Sequence, residues 1–205
     1  MDFDRFIQTY QHTPLIESST FPLVCDAPDH LRVYVTQWQR KGYLHRLRAG
    51  VYVLDEKYRK APVSPLFVAG YLISPSYVSL EYALSHHGFI PERARTYTCV
   101  TTRHGRRFEN VLGTFDYRHV KPALFFGYQP VEAGGQEALI ADPEKALLDL
   151  FYLNGGRLEA TAAQVEALRL QNLDQLDLDR LAEYAAPFTR KARKLARFVA
   201  RAAGG

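Results

Sequence analysis

The chain has 205 residues, of which 47% are apolar and 23% charged, a composition typical of a globular protein with a substantial core. Its length lies between that of one large domain and that of two small ones. No apolar run approaches the roughly 20 residues needed to span a bilayer. The acidic start MDFDRF also lacks the basic and apolar regions of a signal peptide, so we expect a cytoplasmic protein with no membrane partner.

The net charge of +4 is unevenly distributed along the chain. Residues 1–60 contain nine Lys and Arg against seven Asp and Glu, whereas residues 61–183 contain 11 against 15. Residues 184–205 contain six basic residues and no acidic residue. This asymmetry favours an anionic partner that meets the two ends of the chain, although exposed helix faces are often charged without any ligand.

The first 24 residues predict two short helices. The first helix carries four apolar residues at helical spacing and breaks near Pro14. These residues are Phe3, Phe6, Ile7 and Tyr10. A second helix, from about Ser18 to Val24, precedes a turn at Cys25-Asp26-Ala27.

A third helix is predicted from about Pro28 to Lys41. Asp26 or Asp29 can cap its free N–H groups, and Gly42 supplies a left-handed stop. At roughly 100° per residue, one side of the helix carries four residues that would pack: Leu31, Tyr34, Val35 and Trp38. The other side carries five residues that are free to contact a partner: Arg32, Val33, Thr36, Gln37 and Arg40.

Residues 43–54 predict a basic hairpin. Aromatic and β-branched residues favour two strands, and Arg48-Ala49-Gly50 can form the turn between them. Arg46 and Arg48 would then lie near the tip. Three helices followed by a hairpin are the minimum complement of a winged helix-turn-helix domain, which we assign to residues 1–58.

The polar segment DEKYRKAPVSP at residues 55–65 contains two prolines and is the best candidate for a domain boundary. Beyond it, helices are expected at 65–73, 77–87 and 142–153, and the remainder to the end is helical in pattern. Strands are expected at 96–102, 114–120, 125–131 and 137–140. The fold class is therefore α+β, with a second domain over residues 62–205 in which helices pack on a small antiparallel sheet.

The last predicted helix, about Pro187 to Ala203, has two contrasting faces. Its apolar stripe consists of Phe188, Ala192, Leu195 and Val199. Another face carries four cations at spacings of three and four residues, called the basic row below: Arg190, Lys194, Arg197 and Arg201. This pattern predicts a docked helix whose outer side is basic.

Three sequence blocks resemble the AbiEi-type antitoxins of bacterial abortive-infection toxin-antitoxin systems. They are GYLHRLRAGVYVL at residues 42–54, SYVSLEYALSHHGFIPE at residues 76–92 and ALIADPEKALLDLFYL at residues 138–153. The spacing of the blocks also fits, so that the resemblance extends from about Leu23 to Arg201. The combined pattern is specific, whereas the first block alone occurs in many winged-helix domains.

The resemblance implies a winged-helix DNA-binding domain joined to a C-terminal antitoxin domain. Such proteins are transcriptional autoregulators that repress their own operon by binding repeats in its promoter, and they oppose a nucleotidyltransferase-type toxin. The expected partners are therefore double-stranded promoter DNA and the cognate toxin, and no enzymatic activity is expected.

On this interpretation, the third helix reads DNA. Arg32, Thr36, Gln37 and Arg40 would contact base edges or phosphates, and Val33 a thymine methyl group. Arg46 and Arg48 would contact phosphates or enter the minor groove. The alternatives are a solvated helix on a domain that uses the winged fold only for protein contacts, and an edge strand kept soluble by its charge.

The basic row has three interpretations: a second phosphate-contacting surface, a site for an acidic partner, or a solvated face. A different alternative comes from Asp142, Glu144 and Lys145, residue types with which nucleases hold a metal and activate water. We instead expect Asp142 to cap a helix, with Pro143 in its first turn and Glu144 near its positive end.

No other motif predicts catalysis or a cofactor. Neither a Gly-rich phosphate loop, a Gly-x-Ser-x-Gly elbow nor a His-Glu-x-x-His motif is present, and we expect neither a cofactor nor a metal site. Cys25 and Cys99 lie far apart without metal-ligand spacing and are expected to be buried thiols. Adjacent His86 and His87 cannot chelate one metal together on a helix, because their side chains point about 100° apart.

Overall fold

A computed structural model describes residues 3–24 and 30–204 of the chain, which form an α+β fold. The predicted helix caps Asp26 and Asp29, together with Cys25 and Pro28, lie outside the described residues. None of the helices formed by the described residues combines the length and the apolar character needed to cross a membrane.

The N-terminal region consists of short helices and a three-stranded antiparallel sheet. Its helices are α1 (Phe3–Tyr10), a 3-10 turn (Ser18–Leu23) and α2 (Leu31–Arg40). Its strands are β1 (Ile16–Glu17), β2 (Leu44–Arg48) and β3 (Val51–Leu54), in the order β1-β3-β2. The predicted hairpin is thus present as β2 and β3, and a third strand, which the sequence did not predict, pairs with β3 through Ile16 and Glu17.

Aromatic side chains hold the N-terminal helices together. Phe6 is fully buried, and its ring centroid lies 4.7 Å from that of Trp38 and 5.5 Å from that of Phe21. These contacts join α1, the 3-10 turn and α2 in one small core. Aromatic pairs at such distances add roughly 0.5–1.5 kcal/mol each beyond the burial of their area.

The C-terminal region contains six strands and six α-helices within the residues that the structure describes. The strands are β4 (Ser76–Val78), β5 (Thr96–Thr101), β6 (Arg106–Asn110), β7 (Gly113–His119), β8 (Tyr128–Glu132) and β9 (Glu137–Ala141). The helices are α3 (Pro65–Leu72), α4 (Leu80–His86), α5 (Pro143–Leu153), α6 (Ala162–Ala167), α7 (Leu178–Ala185) and α8 (Arg190–Ala203).

The six strands form one mixed sheet, so the prediction of a small antiparallel sheet is wrong. The strand order is β6-β7-β5-β4-β9-β8, and the pairs β5–β7 and β4–β9 are parallel. Two strands were missed. Residues 77–78 of β4 were assigned to a helix, and the charged strand RRFEN (Arg106–Asn110) lacks the apolar alternation of a half-buried strand. The missed β6 pairs antiparallel with β7, which lets β7 run parallel to β5.

The three-stranded sheet is covered on both faces. Leu44 and Leu54 pack into the aromatic core of the N-terminal helices, whereas Leu47, Val51 and Val53 pack into the main core of the C-terminal region. The Asn110 side-chain amide also donates a hydrogen bond to the Leu47 carbonyl at 3.3 Å. The β2–β3 hairpin therefore lies between the two cores, and one of its edges adjoins β6.

Candidate functional site

Helix α2 has one packed side and one exposed side, as its sequence pattern predicted. Val35 and Trp38 are buried, and Leu31 and Tyr34 pack against the same aromatic core. The five residues on the opposite side are all exposed: Arg32, Val33, Thr36, Gln37 and Arg40. We call this set the outer face of α2. Val33 is the apolar member of this face and is 51% exposed.

The polar groups on the outer face of α2 form few contacts with other described residues. The Thr36 hydroxyl donates to the Arg32 carbonyl at 2.8 Å, a bond within the helix itself. Within residues 3–24 and 30–204, neither Arg32 nor Arg40 forms an ion pair with a carboxylate. Their guanidinium groups are therefore available to an external acceptor.

The two arginines of the hairpin occupy different environments. Arg46 is exposed, and its Nε donates to the Arg48 carbonyl at 3.3 Å. Arg48 is half-buried and faces the junction with the C-terminal region, where it lines a cleft with residues of β6. A β-bulge between Arg46 and Arg48 separates the two side chains, because an extra residue in one strand breaks the alternation of faces.

A hydrogen-bonded pair fixes the base of the hairpin. His45 Nε2 lies 2.9 Å from the Asp55 carboxylate, and each side chain is about a quarter exposed. The bond from His45 lowers the pKa of Asp55. The pair joins the start of β2 to the residue that follows β3, so the His45 side chain faces a neighbouring side chain.

Helix α8 presents the basic row to solvent. Arg190, Lys194, Arg197 and Arg201 are exposed, and together with Arg193 and Phe198 they border a groove of about 450 Å³. The apolar stripe is buried, including Leu195 and Val199 at 0% exposure. In the part of the chain that the structure describes, none of the row's cations pairs with a carboxylate. Lys194 instead lies over the Phe198 ring, 5.7 Å from its centroid.

The two exposed basic surfaces belong to different regions of the molecule. Helix α8 packs against α5, α6 and α7, whereas α2 packs against β2. The Thr189 hydroxyl accepts a bond from Ala192 N–H at 3.4 Å and thereby caps α8. Each surface is thus positioned by its own packing partners.

The side chains of Asp142, Glu144 and Lys145 do not converge on one site, because each contacts different partners. Asp142 sits at the N-terminal end of α5, but its side chain accepts bonds from Gln129 at 2.8 Å and Tyr184 at 3.1 Å. The expectation that this carboxylate caps the helix is therefore wrong, because these two tertiary donors occupy both of its oxygens. Glu144 is buried and accepts a bond from the Asp177 N–H at 2.9 Å.

Lys145 points away from these carboxylates and pairs with Asp149 in the main core. Both residues are 0% exposed. The Lys145 ammonium donates to Asp149 and, at 2.7 Å, to the Tyr77 hydroxyl. Tyr77 and Ser79 in turn donate to Asp149 at 2.9 and 2.8 Å. Sequence reasoning missed this network, although the spacing of Lys145 and Asp149 along an otherwise apolar helix was a usable signal.

The burial of this network shapes the ionisation of its members. Burial lowers the pKa of Lys145 and raises the pKa of Asp149, whereas the charge of each partner opposes that effect. The ammonium also lies about 5 Å from three aromatic ring centroids, those of Tyr77, Phe126 and Phe188. The four side chains of the network are all buried in the core of the C-terminal region.

Other titratable side chains are dispersed. Cys99 is a free, buried thiol, and burial raises its pKa. Burial also lowers the pKa of His86, whereas the neighbouring His87 lies 2.9 Å from the Ala141 carbonyl. Among the described residues, no group of three or more His, Cys, Asp and Glu side chains could hold a metal ion.

Comparisons with known proteins do not assign the chain to a family. No protein-family model matches it, and no curated protein matches it either. The resemblance of the three sequence blocks to AbiEi-type antitoxins therefore stays a hypothesis.

Proposed function

We propose that this protein is a DNA-binding transcriptional regulator that represses its own operon through an N-terminal winged helix-turn-helix domain. The observation that carries the proposal is the exposed outer face of α2. It lies opposite a packed face and is followed at once by a hairpin that carries the exposed Arg46. In winged domains, a helix of this kind enters the major groove and the hairpin lies beside it.

The side chains on this face suit base recognition. A guanidinium such as that of Arg32 or Arg40 can pair with guanine through two bonds, and Gln37 can pair with adenine in the same way. Val33 provides an apolar group for a thymine methyl. Arg46 and the basic row would add phosphate contacts, which supply affinity without sequence preference.

The proposal is tested by fluorescence anisotropy with a duplex from the region upstream of the protein's own gene and a shuffled duplex. The wild type should bind the upstream duplex more tightly, and binding should weaken steeply with salt. Arg32→Gln combined with Gln37→Ala should reduce the preference between the two duplexes by about tenfold or more, since a bidentate base contact contributes roughly 1–3 kcal/mol of discrimination.

Arg157→Gln is the matched control, because Arg157 is also exposed but follows α5 in the C-terminal region. It should leave the preference unchanged. If the wild type binds neither duplex, the DNA-binding proposal is wrong. If it binds both and the α2 variant behaves like the control, the interface lies elsewhere.

We further propose that the protein is an antitoxin acting against a nucleotidyltransferase-type toxin. This part is supported by the resemblance of residues 42–54, 76–92 and 138–153. Co-expression with the product of the gene adjacent to its own should relieve growth arrest caused by that product. Copurification of the two would identify direct contact as the mechanism, and unrelieved arrest would contradict the antitoxin proposal.

A further inference from the structure

A cleft of about 970 Å³ lies at the junction between the β2–β3 hairpin and the six-stranded sheet. Its titratable side chains are all basic ones, from the hairpin, the β5–β6 turn, β6 and the end of β7: Arg48, Arg103, His104, Arg106 and His119. No Asp or Glu is among the described residues that line it. The cleft therefore concentrates positive charge in a concave site, where an anion would be attracted from several sides.

The β5–β6 turn that carries two of these groups is firmly held. The Arg103 N–H donates to the Thr101 hydroxyl at 3.1 Å, and the His119 Nδ1–H donates to the Arg103 carbonyl at 3.0 Å. Gly105 is required here because a Cβ at this position would lie 2.8 Å from the Tyr117 carbonyl oxygen. Since these contacts with Thr101 and His119 fix the turn, the cleft does not need to be ordered by a ligand.

Arg48 contributes donors that the protein does not use. One of its terminal nitrogens donates to the Ala49 carbonyl at 3.1 Å, while its Nε is buried and has no hydrogen-bond partner. Glu17 is near enough for the charge of Arg48 to contribute to the lowering of its pKa, behind the larger effect of the Tyr71 hydrogen bond. Glu17 nevertheless accepts its bonds from Tyr71 and Ser19. A buried donor without a partner is costly to the folded protein.

We propose that this cleft is a phosphate-binding site. Guanidinium groups match the geometry of phosphate oxygens and bind them through paired, charge-assisted bonds. The phosphates can come from a free nucleotide or from the backbone of duplex DNA. Only the second source rests on the proposed DNA-binding function, and the inference does not involve the outer face of α2.

The test uses the full chain and the double variant Arg103→Gln/Arg106→Gln. The matched control is Arg107→Gln, because Arg107 is the next residue on β6, is also exposed, and does not line the cleft. Circular dichroism and thermal unfolding establish that both variants are folded. Isothermal titration calorimetry with ATP and with inorganic tripolyphosphate probes the free source, and anisotropy with a short duplex over a range of salt concentrations probes the DNA source.

If free phosphates are bound, the double variant should bind ATP and tripolyphosphate at least about tenfold more weakly than the wild type and the Arg107→Gln control, because it loses charge-assisted bonds. If backbone phosphates are bound, the double variant should lower the salt dependence of duplex binding by about two contacts and the control should not. Either result supports the site. The proposal is overturned if the double variant matches the wild type or the control with all three probes, or if none of the probes binds.

These outcomes are separable from those of the α2 experiment. A protein that binds tripolyphosphate through the cleft but no DNA would retain the phosphate site and lose the proposed regulatory function. A protein whose DNA preference depends on Arg32 and Gln37, and which binds no probe through Arg103 and Arg106, would retain the proposed regulatory function and lose the phosphate site.

Discussion

Basic side chains occupy two opposite environments in this protein. Lys145 lies in the main core at 0% exposure, and its ammonium is surrounded by Asp149, Tyr77 and three aromatic rings. The arginines on the outer face of α2 and in the basic row of α8 are exposed and have no carboxylate partner within the described residues. The buried ammonium has its counterion and hydrogen-bond acceptor within the protein, whereas the exposed cations are accessible to an external anion.

This difference separates charge that affects folding from charge that affects binding. A buried charge is tolerated only with its partners, so removing one partner is strongly destabilising. An exposed cation contributes little to stability, and exposed substitutions usually change it by less than about 0.5 kcal/mol. Substitutions in the two environments should therefore affect different measurements.

The largest effect is expected from Asp149→Ala. The change would leave the Lys145 ammonium buried without its counterion, and the free energy of unfolding should fall by about 3–5 kcal/mol. Urea denaturation followed by circular dichroism measures the change. Asp179→Ala is the control, because Asp179 is exposed on α7 and its loss should cost less than about 1 kcal/mol. Equal losses in the free energy of unfolding would mean that the buried Asp149 carboxylate stabilises the protein no more than an exposed one does.

Tyr77→Phe tests the same network with a smaller perturbation. The variant keeps the ring and removes a hydroxyl that accepts from Lys145 and donates to Asp149. Because both charged groups lose a bond and stay buried, stability should fall by about 1–3 kcal/mol. Tyr34→Phe is the control. Tyr34 is a half-buried residue of α2 whose hydroxyl forms no hydrogen bond with another described residue, so its loss should change stability by less than about 0.5 kcal/mol. Equal losses would show that the Tyr77 hydroxyl is not needed.

The contrast also explains which features the sequence could predict. The faces of α2 and α8 follow from helical periodicity, and residues 143–153 form a helix because their apolar content and the leading proline favour one. Local sequence patterns could not predict the mixed sheet. Its parallel pairs join strands distant in the sequence, and β6 is a charged edge strand in which Phe108 is the one aromatic residue.

The candidate sites show the same limit. The turn assigned to residues 48–50 placed Arg46 and Arg48 together near the hairpin tip, but a bulge lies between them and Arg48 lines the cleft. Spacing alone likewise cannot distinguish a surface Lys–Asp pair from a buried one, because both use residues four apart on a helix. The tertiary structure decides between them through the residues that cover each face.

Arg46→Gln tests whether an exposed cation affects DNA binding without affecting stability. Stability should stay within about 0.5 kcal/mol of the wild type, since Arg46 is exposed and, within residues 3–24 and 30–204, its side chain donates only to the Arg48 carbonyl. Under the proposed function, affinity for any duplex should fall alike, and the salt dependence should decrease by about one phosphate contact. Anisotropy across salt concentrations measures both quantities, and a loss confined to one sequence would contradict a phosphate-contacting role.

The smallest expected effect concerns the two ends of α8. Arg190 lies in the first turn, where the partial positive charge of the helix disfavours a cation, and it stands four residues from Lys194. Arg190→Gln should therefore stabilise the protein by a few tenths of a kcal/mol at low salt. Arg201 stands in the last turn, where a cation is favoured by the helix dipole, so Arg201→Gln should be neutral or slightly destabilising.

The difference in stability between the two variants should vanish in high salt, because salt screens both the helix dipole and the repulsion between Arg190 and Lys194. Urea denaturation measures both changes in stability. If Arg190→Gln stabilises the protein and Arg201→Gln destabilises it, then Arg190 lowers the stability of α8, and its presence there favours a binding role. A destabilising Arg190→Gln would instead show that this arginine stabilises α8.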